Sequence, residues 1–117
     1  MKYTFPRKIR LLTDPQFKQV FKKTKRKIHT QAFIIYYCDN DLSYPRLGVI
    51  VPKRNIHQAT KRNRFKRVVR ESFRLNQNRF QGVDILIVGK KNAENFLGKE
   101  LNSLMIDGLN KVEQNYA

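Results

Sequence analysis

A chain of 117 residues is long enough for one domain with one modest core and too short for a second independently folded unit. It carries 25 Lys and Arg against 9 Asp and Glu, a formal net charge of +16, which calls for a polyanionic partner to offset the self-repulsion. With 40% hydrophobic residues, eight Phe and five Tyr, the composition excludes a disordered basic tail.

At the N-terminus Lys2, Arg7, Lys8 and Arg10 are followed by no apolar stretch of signal-peptide length. No segment approaches the roughly 18 to 20 apolar residues of a membrane span. Cys38, the single cysteine, cannot form an intramolecular disulfide and sits in an apolar run. A soluble, cytoplasmic protein with no membrane association is expected.

Asp14-Pro15 reads as a helix start, and Phe17, Val20 and Phe21 follow at helical spacing, predicting a short amphipathic helix over 15–23. Residues 18–27 hold Lys18, Lys22, Lys23, Lys25, Arg26 and Lys27 with no acid, a run too polar to bury, so a helix end and an exposed loop are expected. The stretch 32–38 is rich in β-branched and aromatic residues and is closed by the turn formers Asp39-Asn40-Asp41. It predicts a strand with Phe33, Ile35 and Tyr37 on one face and Ile34 and Tyr36 on the other. A second strand over 47–51 should pair with the first as an antiparallel hairpin.

Residues 52–58 form a connector, and a helix is predicted over 59–76. Phe65, Val68, Val69, Ser72 and Phe73 make its apolar stripe. Asn63, Arg67, Arg70 and Arg74 fall on the opposite face, with Arg62 and Lys66 along one edge of the stripe and Arg64 along the other. A third strand covers 83–88. Leu97, Leu101, Leu104, Met105, Leu109 and Val112 then predict a last helix, weakened at Gly108. Residues 94–117 carry four acids and two bases, so the positive excess lies upstream and this helix is read as packing. The result is a single α+β domain of order α-β-β-α-β-α, a central sheet packed by helices.

The segment 61–74 contains seven bases and one acid. A merely solvated helix face usually alternates its charges, whereas Arg62, Lys66 and Arg70 stand four apart with like sign, an arrangement that costs stability unless an anion is bound. Arg predominates over Lys, which suits bidentate phosphate contacts. RNA binding through Lys61, Arg62, Asn63, Arg64, Lys66, Arg67, Arg70 and Arg74 is the expectation. Phe17 and Phe21, at i and i+4, together with Tyr36 could stack unpaired bases, although aromatic residues at this spacing are more often core.

A protein-only active site is not expected. His29 and His57 are isolated, Cys38 has no metal-ligand neighbours in sequence, and no Gly-rich phosphate loop or nucleophile elbow occurs. No catalytic residue and no metal ligand is therefore assigned to the chain. A membrane-surface role would need a free apolar helix face, and Phe65, Val69 and Phe73 are needed for the core.

Arg62-Asn63-Arg64, followed by Lys66-Arg67 and Arg70, resembles the RNR signature of the bacterial ribonuclease P protein family. Residues 14–23, the stretch Arg46-Leu47-Gly48-Val49 with Val51, Lys53 and Arg54, and residues 83–91 resemble the family's other elements in the same order. The resemblance implies an α+β fold with a left-handed βαβ crossover, where general rules favour the right-handed form. It also implies a catalytic RNA partner that uses magnesium to remove the 5′ leader of precursor tRNA. On that reading the basic helix contacts the catalytic RNA, Lys53 and Arg54 of the basic connector also bind RNA, and Phe17, Phe21 and Tyr36 line a cleft for the leader. The alternative is a small ribosome-associated or general RNA-binding protein. Two places depart from the family pattern: the connector reads Asn55-Ile56-His57-Gln58-Ala59, and Thr24 stands where Gly is frequent.

Overall fold

Thr13 starts the first helix, α1 (Asp14–Lys23), through a capping box. Its hydroxyl accepts from the Gln16 amide (3.4 Å), and the Gln16 side chain accepts from the Thr13 amide (3.0 Å). The helix closes at Thr24, whose amide and hydroxyl both donate to the Val20 carbonyl at 2.9 and 2.6 Å. The hydroxyl thus ends the helix without the glycine that is frequent there. The computed structural model describes residues 9–11 and 13–116, Tyr116 by its backbone alone; Lys2, Arg7 and Lys8 lie outside the described residues.

A four-stranded sheet follows: β1 (Ile28–His29), β2 (Phe33–Asp39), β3 (Arg46–Ile50) and β4 (Val83–Gly89), in the spatial order β1-β2-β4-β3. β1 is too short to show a period, and it lies between the expected exposed loop of residues 18–27 and the expected strand, in a stretch where the sequence predicts no element. The larger correction concerns β2 and β3. They do not form a hairpin: β4 lies between them, antiparallel to β2 and parallel to β3. The reason lies in β4 itself, where Val83, Ile85, Leu86 and Ile87 are all buried on both faces. Such a strand belongs in the centre of a sheet, and a β2–β3 hairpin would push it to an edge. Asn40, read as a hairpin turn former, instead ties the 40–45 loop across the start of β4. Its amide donates to the Gly82 carbonyl (2.9 Å), and its side chain donates to Asp84 Oδ1 (2.9 Å) and the Tyr44 carbonyl (3.2 Å).

The connection from β3 to its parallel neighbour β4 is the long helix α2 (Ala59–Asn76), and α3 (Gly98–Tyr116) follows β4 after a 3-10 turn at Lys91–Asn95. Both helices cover one face of the sheet. Phe65, Val69 and Phe73 of α2 and Leu101, Met105, Leu109 and Val112 of α3 pack there with Phe33, Ile35, Ile85 and Ile87. Gly108 does not weaken α3 idly. A Cβ at that position would stand 2.4 Å from Ile35 Cδ1, so the glycine is what lets the helix lie against β2. Arg79 staples the ends of α2 and α3 by donating to both Glu113 carboxylate oxygens at 3.0 and 3.1 Å.

The other face is covered only in part, by α1 and the segment at Leu11. Leu11, Val20, Cys38 and Leu86 form a small second core, with Phe17, Tyr36, Ile50 and Val88 half-buried around it. No helix among the described residues is long and apolar enough to cross a membrane.

Candidate RNA interface

The two faces of the sheet carry two different surfaces. On the α2 side, the exposed members of the expected RNA-binding set are Lys61, Asn63, Arg67 and Arg70, with Lys53 and Arg54 exposed on the connector just before the helix. The N-terminal segment adds a cation invisible to local sequence reading. Arg10 bridges to Leu47 beside β3, and its charge adds to burial, the larger cause, in lowering the Arg70 guanidinium from its ordinary value. Bringing two guanidinium groups together raises the local positive potential where an anion would bind.

Other members of the basic set are held by the protein itself. Arg62 donates through Nη1 to the Ile56 carbonyl (2.9 Å) and the His57 carbonyl (2.7 Å), so it fastens the connector to the helix. Arg64 reaches the opposite way, donating to the Phe96 carbonyl at 2.8 Å and fastening the approach to α3. Arg74 is paired with Glu71 one turn away, and Lys66 is half-buried. The departing connector is firmly anchored: Ile56 is fully buried, and the Asn55 side chain donates to the Gly89 carbonyl (2.7 Å).

On the opposite face, α1 places Phe17 and Phe21 on its sheet-facing side beside Tyr36. The ring of Phe21 meets Tyr36 edge-on at 4.7 Å between centroids, and Lys27 Nζ stands 5.6 Å from the Tyr36 centroid. Phe21 is 41% exposed, whereas Phe17 and Tyr36 are half-buried, so the three expected cleft residues are together but unequal. Gly48 sets the depth of this cleft. A Cβ there would come within 2.9 Å of both Leu11 Cβ and Phe17 Cε1, and 3.1 Å of Leu86 Cδ1. At the end of the same sheet face Arg46 makes a bidentate pair with Asp84, Nε to Oδ1 at 2.8 Å and Nη2 to Oδ2 at 2.7 Å. The hydrogen bond to Asp84 raises the Arg46 guanidinium above its ordinary value. Cys38 lies in the same row; burial foremost, and then the Asp84 charge, push its thiol up.

Among the described residues, no three His, Cys, Asp or Glu side chains come together to hold a metal ion. His29 and His57 are both exposed, one on β1 and one on the connector. Lys27 and Arg10 are the residues near these surfaces that sequence reasoning did not place. Lys27 carried a signal in its unbalanced run, and Arg10 carried none.

A basic helix on one side of a mixed sheet and an aromatic cleft on the other define a small α+β RNA-binding protein. The family model for ribonuclease P matches residues 5–113, and the chain belongs to the ribonuclease P protein family. Among its relatives, the ribonuclease P protein component of Aliivibrio fischeri is 43% identical over 105 residues, covering 90% of this chain and 89% of that one. That of Vibrio cholerae is 43% identical over 103 residues, 88% of this chain and 86% of its own. The ribonuclease P protein of Thermotoga maritima superposes with a TM-score of 0.74 at 27% identity, over 84% of this chain and 92% of that one. The Staphylococcus aureus protein shares the fold with a TM-score of 0.82 at 24% identity, over 89% and 94%. These matches favour the ribonuclease P reading over a general or ribosome-associated RNA-binding protein, and they place the chain in tRNA processing.

Proposed function

We propose that this chain binds the catalytic RNA of ribonuclease P through α2 and the connector, and holds the 5′ leader of precursor tRNA in the Phe17, Phe21 and Tyr36 cleft. The observation that carries the reading is the division of surfaces. The cationic helix face and the aromatic cleft lie on opposite sides of one sheet, so the protein can grip a structured RNA and a single strand at once. Phosphates of folded RNA meet fixed guanidinium groups on one side. Unpaired bases meet an exposed Phe21 ring on the other.

The chain's contribution is positioning and charge neutralisation. Hydrolysis belongs to the RNA and its magnesium ions, and no residue of the chain is assigned to hold a metal. The test is cleavage of precursor tRNA by the matching catalytic RNA at low magnesium, with and without the protein. Stimulation by the protein, together with no cleavage by the RNA-free protein, is expected. Absence of stimulation overturns the proposal.

A further inference from the structure

The run Lys22, Lys23, Lys25, Arg26 and Lys27 puts five cations in six residues, all of them exposed and none in an ion pair among the described residues. Its two ends face different surroundings. Lys23 and Lys25 border a hollow shared with Asp39 and Asp41, where carboxylates offset them. Arg26 and Lys27 border another hollow, of about 330 Å³, whose other walls are Ile28, His29, Lys111, Gln114 and Asn115, with no acid among them. Asp107 belongs to the adjoining hollow with His29, Thr30 and Lys111. So Lys111, one of the few cations of α3, is brought opposite Arg26 and Lys27 by the packing of that helix beside β1.

This shelf is separate from the basic helix. β1 is one edge of the sheet and β3 the other, so three strand spacings, roughly 14 Å, lie between the two edges, and α2 packs toward β3. It is continuous with the aromatic cleft, because Lys27 both lines the hollow and stands 5.6 Å from the Tyr36 ring centroid. A strand leaving the cleft past Tyr36 therefore meets Arg26 and Lys111 next, with the amides of Gln114 and Asn115 beside them. The Asn115 amide is already oriented by the hydrogen bond it donates to the Tyr37 hydroxyl.

We infer that the hollow between the 24–29 loop and the end of α3 is a second RNA surface, which takes the sugar–phosphate backbone of leader nucleotides lying beyond those in the cleft. The inference rests on the leader occupying the cleft. Cations without carboxylate partners on a shelf that continues an aromatic platform are the two components of a single-strand site, charge for the backbone and rings for the bases.

The experiment measures dissociation constants of the reconstituted holoenzyme for three RNAs: mature tRNA, and precursors with leaders of about four and about twelve nucleotides, which bracket a small single-strand site. Arg26→Ala/Lys111→Ala should weaken binding of the long leader about tenfold at 0.15 M salt and lower its log–log salt slope by about 1.4, at about 0.7 per phosphate. The short leader and mature tRNA should bind as before, and the charge-retaining Arg26→Lys/Lys111→Arg should restore the long leader. Both positions are exposed, so the thermal midpoint should hold. Phe21→Ala is the companion variant. If it shows no leader-specific loss, the cleft reading itself fails. If it does, while the double variant either loses nothing or loses equally for all three RNAs, the cleft stands and the second surface is overturned.

Discussion

Phe21 meets Tyr36 edge-on, with ring centroids 4.7 Å apart and planes at 76°, and leaves 41% of its own surface exposed. The two aromatic rings that α1 brings to the cleft should therefore separate on truncation. Phe21→Ala should cost little stability and should weaken leader-bearing precursor by about 1 to 3 kcal/mol, with mature tRNA unaffected. Phe17→Ala, which removes a ring packed over Gly48, should show the same leader loss and in addition a stability loss, below the 3 to 5 kcal/mol expected for a fully buried Phe. Thermal midpoints paired with the two dissociation constants decide it, and equal losses for both RNAs would return these residues to a packing role.

Arg62 and Arg67 lie on one helix, yet one is engaged by backbone carbonyls and the other is exposed. Arg67→Ala should lower the salt slope of catalytic-RNA binding by somewhat under one unit and leave the thermal midpoint alone. Arg62→Ala and Arg64→Ala should each also destabilise the free protein by about 1 to 3 kcal/mol, because charged donors to buried or half-buried carbonyls are lost. Faster amide exchange around residues 55–58 in the first variant and 94–98 in the second is the localising measurement. Uniform behaviour of all three variants would mean that the carbonyl contacts have no energetic weight.

The Arg46–Asp84 pair joins β3 to β4 at the end of the cleft, and Asp84 is 3% exposed. Arg46→Ala leaves a buried carboxylate with only the Asn40 amide, and should destabilise by about 3 to 5 kcal/mol. Chemical denaturation at neutral pH measures this, and a deficit below about 1 kcal/mol, the size expected of an exposed ion pair, would rule the account out.

Cys38 is 6% exposed, and its thiol is pushed up by burial and by the Asp84 charge. The thiolate is the reactive form, so alkylation of the native protein near pH 8 should run at least about tenfold slower than in denaturant. Raising the pH should speed the native reaction, until the elevated thiol pKa is passed. Native and denatured rates that coincide would contradict the burial.

Helix periodicity was legible because it is local. The stripe from Phe65 to Phe73 lies against the sheet, and the cationic face of α2 points outward, as its spacing requires. Strand alternation likewise placed Tyr36 on the face away from Phe33 and Tyr37. Pairing was not legible. The choice between a β2–β3 hairpin and a central β4 depends on which arrangement buries β4 on both faces, an energy shared by four strands and both helical layers.

The same limit governs the site. The sequence by itself determined the charge, the aromatic spacing on α1, the RNR stretch and the helix that carries it, since each depends on residues within a few positions of one another. Only the tertiary structure decided which cations are spent on carbonyls, that Arg10 stands beside Arg70, and that Lys111 faces Arg26 and Lys27 across a hollow. These partners are separated by between 5 and 85 positions along the chain, and their meeting depends on the packing of the helices and the N-terminal segment around one sheet.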